Sequence, residues 1–120
     1  MFPGFKGVAG DVHDPTTIPS VQGIYVISWV LHNWPNSAAQ EIVANVAKQA
    51  LPGSLILIHE RCTDLVEKRE PDVDLQAMLY FGGRERTSNT YISMLKDCHL
   101  MEISSTILSN GWAIISGSKQ

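Results

Sequence analysis

His32 ends the segment Trp29-Val30-Leu31-His32, which continues the apolar run Gly23-Ile24-Tyr25-Val26-Ile27-Ser28, and Glu60 follows the next apolar run, Ser54 to His59. If those runs are neighbouring parallel strands, the imidazole and the carboxylate reach the same edge of a sheet, the edge at which open α/β folds bind ligands. The pair has a definite chemical use. An imidazole titrates at about 6.5 and so exchanges protons at neutral pH. A carboxylate on its far nitrogen holds the ring in one tautomer and one orientation. Alone, His32 would read as a structural histidine satisfied at a strand end; as a candidate general base it would have Glu60 as its orienting group. His13, His59 and His99 show no metal-ligand spacing, and strand alternation turns His59 away from the face that carries Glu60.

The elements that must position this pair follow from the apolar pattern. Gly23 to Leu31 is almost entirely apolar and rich in β-branched and aromatic residues, as is a parallel strand covered on both faces. Pro35 breaks it. Ser37 and Gln40 have the spacing of a capping box, and Ala39, Ile42, Val43, Val46, Ala47 and Ala50 recur at helical spacing until Pro52-Gly53. Ser54 to His59 is the second strand, and strand, helix, strand implies a right-handed parallel crossover and an α/β fold. Thr63 to Val73 is polar and mixed in charge, a surface loop or loose helix; Leu75, Met78 and Leu79 suggest one or two helical turns. Thr87 can cap a helix whose Tyr91, Met94, Leu95 and Cys98 share a face. Ile103 to Leu108 and Trp112 to Ile115 flank Asn110-Gly111, a pair suited to a two-residue type I′ turn between antiparallel strands.

Composition narrows the function classes. The 120 residues, 44% apolar and 18% charged, form one globular unit able to bury roughly two thirds of its unfolded surface. A net charge of −3 with nine scattered basic residues gives no footprint for nucleic acid or an anionic membrane. No apolar run approaches the ~20 residues of a spanning helix, and Met1-Phe2-Pro3-Gly4 lacks the features of a signal peptide, so the expected location is cytoplasmic. Cys62 and Cys98 form no CxxC pair and are expected as free thiols, Cys98 in the core and Cys62 just past a strand.

Four stretches carry a resemblance: Val8-Ala9-Gly10-Asp11, Ser28-Trp29-Val30-Leu31-His32-Asn33-Trp34, Ala50-Leu51-Pro52-Gly53-Ser54 and Phe81-Gly82-Gly83-Arg84-Glu85-Arg86-Thr87. In this order and spacing, from about Val8 to Gly117, the chain resembles the C-terminal part of the S-adenosylmethionine-dependent O-methyltransferases that act on small phenolic molecules, such as caffeic acid O-methyltransferase. The resemblance implies a partial Rossmann-like class I methyltransferase domain spanning residues 1–120, its fourth to seventh strands only. The family's dimerisation domain is not found here. Nor is there any GxGxG for the cofactor loop, or an acidic residue to hold the ribose. In the family's strand order the fourth strand lies beside the first, so Tyr25 to Val30 would present an unpaired apolar edge. A shortened reading frame, a fragment and a subunit that pairs with another polypeptide all fit that expectation.

The resemblance also assigns residues. His32 is the general base, with Glu60 and Glu85 holding its ring from two sides. Asp11 accepts from the adenine amine of S-adenosylmethionine, Val12 packs on the adenine, and Trp29 matches an aromatic residue on its opposite face. Ser28 stands where related proteins often carry a lysine that reaches the cofactor. Asn33 replaces an aspartate that often follows the histidine, and Met78 and Phe81 match positions lining the substrate pocket. The expected reaction transfers a methyl group to a hydroxyl of a small aromatic molecule, a secondary-metabolism activity, releasing S-adenosylhomocysteine without a metal. Expected partners are that small-molecule substrate and a further copy, or another chain, at the open strand edge, with no nucleic acid or membrane. Relatives that use such a site for cyclisation or rearrangement, and a non-catalytic fragment that binds a partner chain, remain alternatives.

Overall fold

The computed structural model of the chain describes residues 9–65, 86–109 and 111–120. Along them run β1 (Ile24–Ser28), α1 (Asn36–Gln49), β2 (Leu55–Arg61), α2 (Ser88–Asp97), β3 (Met101–Ile107) and β4 (Trp112–Ser118). The strands form one sheet in the order β1-β2-β4-β3. β1 and β2 are parallel, with Ile24 opposite Leu55 and Ser28 opposite His59, while β4 is antiparallel to both its neighbours. The parallel pair joined through a helix and the closing antiparallel hairpin are those implied by the sequence pattern and by a partial class I methyltransferase fold.

The register divides the sheet into two unlike faces. Ile27, Ile56, Ile58, Ala113 and Ile115 point to one side and are buried with Ile42, Val43 and Val46 of α1 and Tyr91, Met94 and Leu95 of α2. Burying such an aliphatic side chain contributes about 1.5–3 kcal/mol, so this layer carries the fold. Pleating turns their neighbours Ile24, Val26 and Leu55 to the other side, where Ile24 is 68% and Val26 60% exposed. The expectation of a strand covered on both faces is therefore corrected: among the described residues β1 is covered on one face only. Among the described residues it pairs with β2 alone and lies at the edge of the sheet.

Several boundaries move for local reasons. The first strand ends at Ser28 and does not reach Leu31, because Trp29 adopts a φ of 56° and Val30 is in the helical region, with φ −115° and ψ −46°. The second strand runs on through Arg61, so Glu60 lies within the strand and does not follow it. The capping box at Ser37 and Gln40 does not form. Pro35, extended at φ −64° and ψ 163°, occupies the N-cap without a side-chain bond, and its carbonyl accepts the Ala39 amide. Gln40 instead reaches α2, donating from Nε2 to the Met94 carbonyl at 3.0 Å and to Cys98 Sγ at 3.4 Å. At the other end, Gly53 supplies the φ of 92° that takes the chain from α1 into β2.

Thr87 does cap α2, accepting the Thr90 amide at 3.3 Å. Asp64 adds a second acceptor there, taking the Ser88 amide at 2.8 Å and its hydroxyl at 2.6 Å. Partial burial pushes the Asp64 carboxyl upward, but the Ser88 hydrogen bonds outweigh it and hold the group below its ordinary value. The final hairpin is longer than expected, and its turn differs. The Leu108 amide pairs with the Trp112 carbonyl while the Trp112 amide turns back to Ser109. Three residues therefore separate the paired ends, Gly111 taking the positive φ of 88° as in a bulged hairpin and not a simple two-residue turn.

Candidate active site

The turn after β1 creates the site. The Trp29 amide makes a last ladder bond to the His59 carbonyl, and the chain then leaves the sheet into a 3₁₀ turn over Leu31–Asn33. That turn brings His32 back over the end of β2. Glu60 Oε2 accepts the Leu31 amide at 2.9 Å, and Glu60 Oε1 lies 3.2 Å from His32 Nδ1. Both side chains are buried, His32 5% and Glu60 1% exposed. An ionised carboxylate only accepts; opposite one, Nδ1 would carry the proton and leave the basic lone pair on Nε2. The sequence placed an imidazole and a carboxylate at one sheet edge, and the structure brings them into contact.

Three further residues surround the pair. The Trp29 ring lies against the His32 ring, centroids 3.7 Å apart at 32°, and its other neighbour is Trp112 at 4.8 Å. Arg86, itself buried, donates from Nη1 to the Leu31 carbonyl and from Nε to Asn36 Oδ1, while Nη2 reaches the Trp34 carbonyl. Tyr91 has a fully buried hydroxyl without a well-formed hydrogen bond. Burial and the Glu60 charge push its ionisation far up, outweighing the nearby Arg86, so it stays a neutral phenol. Cys62 is also in this layer, wholly buried, and Cys98 is half-buried and not the core residue expected. The two are not joined in a disulfide, and burial raises the Cys98 thiol above its ordinary value.

His59, one residue from Glu60, faces the opposite side of the sheet as alternation requires. Its Nδ1 is 2.8 Å from Ser28 Oγ, and its ring stacks on Trp112 at 4.9 Å. Asp11 and Val12 belong to a different, exposed loop. There Asp11 Oδ1 accepts the His13 amide at 2.9 Å, the Val12 carbonyl accepts from Asn45 at 2.9 Å, and His13 meets Trp34 edge-on at 4.6 Å. The structure thus groups His32 with Glu60 and Trp29, Ser28 with His59, and the Asp11–Val12 loop with Trp34. Asn33 is half-buried in the 3₁₀ turn. Glu85, Met78 and Phe81 lie outside the described residues. The sequence reading gave Arg86, Tyr91 and Trp34 no part in the site, although Arg86 and Trp34 stand inside the quoted motifs. Among the described residues no three His, Cys, Asp or Glu side chains gather as a metal site, and no helix is long and apolar enough to cross a membrane.

The mixed α/β sheet of four strands, with its parallel and antiparallel pairs, matches a partial class I methyltransferase fold. Residues 2–99 match the family model described as the O-methyltransferase domain, and the chain belongs to that family. It is 36% identical over 80 residues, 67% of the chain, to the 2,7-dihydroxy-5-methyl-1-naphthoate 7-O-methyltransferase of Streptomyces carzinostaticus, covering 23% of that protein. Desmethyl-yatein O-methyltransferase of Sinopodophyllum hexandrum is 28% identical over 99% of the chain, which covers 35% of it. Among solved structures, an O-methyltransferase of neocarzinostatin biosynthesis, in complex with S-adenosylmethionine and 2-hydroxy-5-methyl naphthoic acid, superposes with a TM-score of 0.79 at 27% identity. That match takes in 94% of this chain and 33% of the other. The chain therefore spans about a third or less of the length of these relatives.

Proposed function

We propose that this chain is the base-bearing part of an S-adenosylmethionine-dependent O-methyltransferase acting on a hydroxyl of a small aromatic molecule of secondary metabolism. The observation that carries the reading is the buried His32–Glu60 contact at the end of β2 in a chain of this family. The residues present suit the adenine end of the cofactor: the Asp11 carboxylate is an exposed acceptor for an exocyclic amine, and Val12 offers an apolar surface beside it. Ser28 and Trp29, at the end of β1, would border the cofactor, and Asn33, in the 3₁₀ turn, would face the acceptor molecule; Met78 and Phe81 are assigned to that pocket by the resemblance alone. When bound, the cofactor supplies a methyl group on a sulfonium centre.

The remaining work falls to the chain's own side chains. A phenol has a pKa of about 10, so at neutral pH it needs help to shed its proton. His32 Nε2 takes that proton. Glu60, bonded to Nδ1, stabilises the imidazolium that forms and keeps the ring from turning; Glu85 is assigned a part in holding the base by the resemblance alone. General-base assistance of this kind is worth about 10²–10⁴-fold. Burial strengthens the His32–Glu60 interaction, and the Leu31 amide offsets part of the cost of holding the carboxylate away from water.

A second reading rests on the open sheet face. The exposed Ile24 and Val26 and the unpaired edge of β1 suit a chain that is completed by another polypeptide, or by a second copy, and is not catalytic by itself. Calorimetric titration with S-adenosylhomocysteine, paired with light scattering and with transfer of a labelled methyl group to hydroxynaphthoic acids, separates the two. Saturable binding and labelled product support the enzyme. A folded chain that associates, binds no cofactor and transfers no label supports the second reading and sinks the first.

A further inference from the structure

The geometry points to Arg86 as a positioning residue for the base: its buried guanidinium fixes the 3₁₀ turn that aims His32 at Glu60. This deepens the proposed function and rests on His32 being the base. The backbone of Arg86 is anchored first. Its carbonyl accepts the Thr63 amide at 2.9 Å, and it bridges in parallel with Cys62, two residues beyond Glu60. The guanidinium therefore starts from a place fixed relative to the carboxylate. From there it bonds both ends of the turn, taking the Leu31 carbonyl at 2.9 Å and the Trp34 carbonyl, and it holds Asn36 Oδ1 at 2.8 Å at the start of α1.

The two peptides flanking Leu31 are consequently held by opposite charges. Glu60 takes the amide of the peptide before Leu31, and Arg86 takes the carbonyl of the peptide after it, whose nitrogen belongs to His32. Neither peptide can rotate without breaking a charge-assisted hydrogen bond, the stronger kind of hydrogen bond. Trp29 restrains the imidazole itself by lying on its ring. Arg86 also lies in the buried layer that contains Glu60, and both act on the Tyr91 hydroxyl. A planar fork with several donors suits this task; a lysine reaches one carbonyl but not three groups.

The test uses the 120-residue chain with ¹⁵N-labelled histidine. In the wild type, His32 should show one tautomer, protonated at Nδ1, and a protected Leu31 amide. Arg86→Met should convert His32 to a mixture of tautomers and speed exchange of the Leu31 amide about tenfold, with amides in the middle of α1 and β2 changed less than about twofold. Arg86→Lys, which keeps the charge, should give an intermediate result and carries the test if the methionine variant fails to fold. Unchanged tautomer and Leu31 exchange in both folded variants would overturn the inference, and so would equal acceleration at every amide, which marks a merely structural residue. Failure of the underlying reading looks different: His32→Ala would then leave methyl transfer untouched, whatever Arg86 does to the tautomer.

Discussion

His32 and His59 each lie one contact from a partner at the end of the same parallel strand pair, yet of the two it is His32 that meets a buried carboxylate. His32 is buried, its Nδ1 meets a carboxylate, and its backbone is held by Glu60 and Arg86. His59 is half-exposed on the open face, and its partner is the hydroxyl of the exposed Ser28. A hydroxyl can give or take a hydrogen bond and so does not fix a tautomer, whereas an ionised carboxylate can only accept. Burial adds to the difference, because charge interactions strengthen as water is excluded. A single-residue step along β2, from His59 to Glu60, thus separates a surface hydrogen bond from a buried imidazole–carboxylate contact.

The comparison is open to attack in order of expected effect. In an active assembly, His32→Ala should lower turnover by about 10²–10⁴-fold with little change in cofactor affinity, while His59→Ala stays within about twofold; steady-state kinetics decide it. Equal losses from both would erase the distinction between the faces. For stability, Ile58→Ala on the covered face should cost about 2–5 kcal/mol in denaturant unfolding, against about 0.5 kcal/mol or less for Val26→Ala. A large loss at Val26 would mean that the open face is covered in solution. Thr87→Ala should cost about 1 kcal/mol through the lost cap on α2.

The smallest effect belongs to Asp64, whose exposed bonds to Ser88 resemble those of the Ser28–His59 pair in being open to water. Its folded-state pKa is lowered, so the stability it contributes is present above the ordinary aspartate value and is lost as pH falls through the lowered one. Asp64→Asn should therefore narrow the gap in unfolding midpoint between neutral and strongly acidic pH, by less than the effect of the Thr87 variant. An unchanged gap would remove Asp64 from the helix cap.

Much of this was legible in the residues. The apolar run before His32, the helical spacing of Ile42, Val43 and Val46, and alternation along β2 fixed the sheet, the helix and the opposed directions of His59 and Glu60. Details set by tertiary contact were not. The strand stopped early because Trp29 takes a positive φ, which no propensity favours for a bulky residue. Gln40 looked like a capping residue but bonds across to α2, a partner 54 positions away in the chain. Arg86 was visible only as part of a motif, since a buried arginine's role depends on which carbonyls it meets, and those come from a segment 50 or more positions earlier. The exposure of Ile24 and Val26 among the described residues is likewise a property of what packs on that face and has no trace in the apolar composition of β1.

The most direct measurement is the protonation of the two ring nitrogens of His32, read from long-range ¹H–¹⁵N spectra of the wild-type chain and of Glu60→Gln. The account predicts that neutral His32 in the wild type carries its proton on Nδ1 and leaves Nε2 bare, and that Glu60→Gln weakens that preference. A wild-type ring protonated on Nε2, or a tautomer indifferent to Glu60, would contradict it.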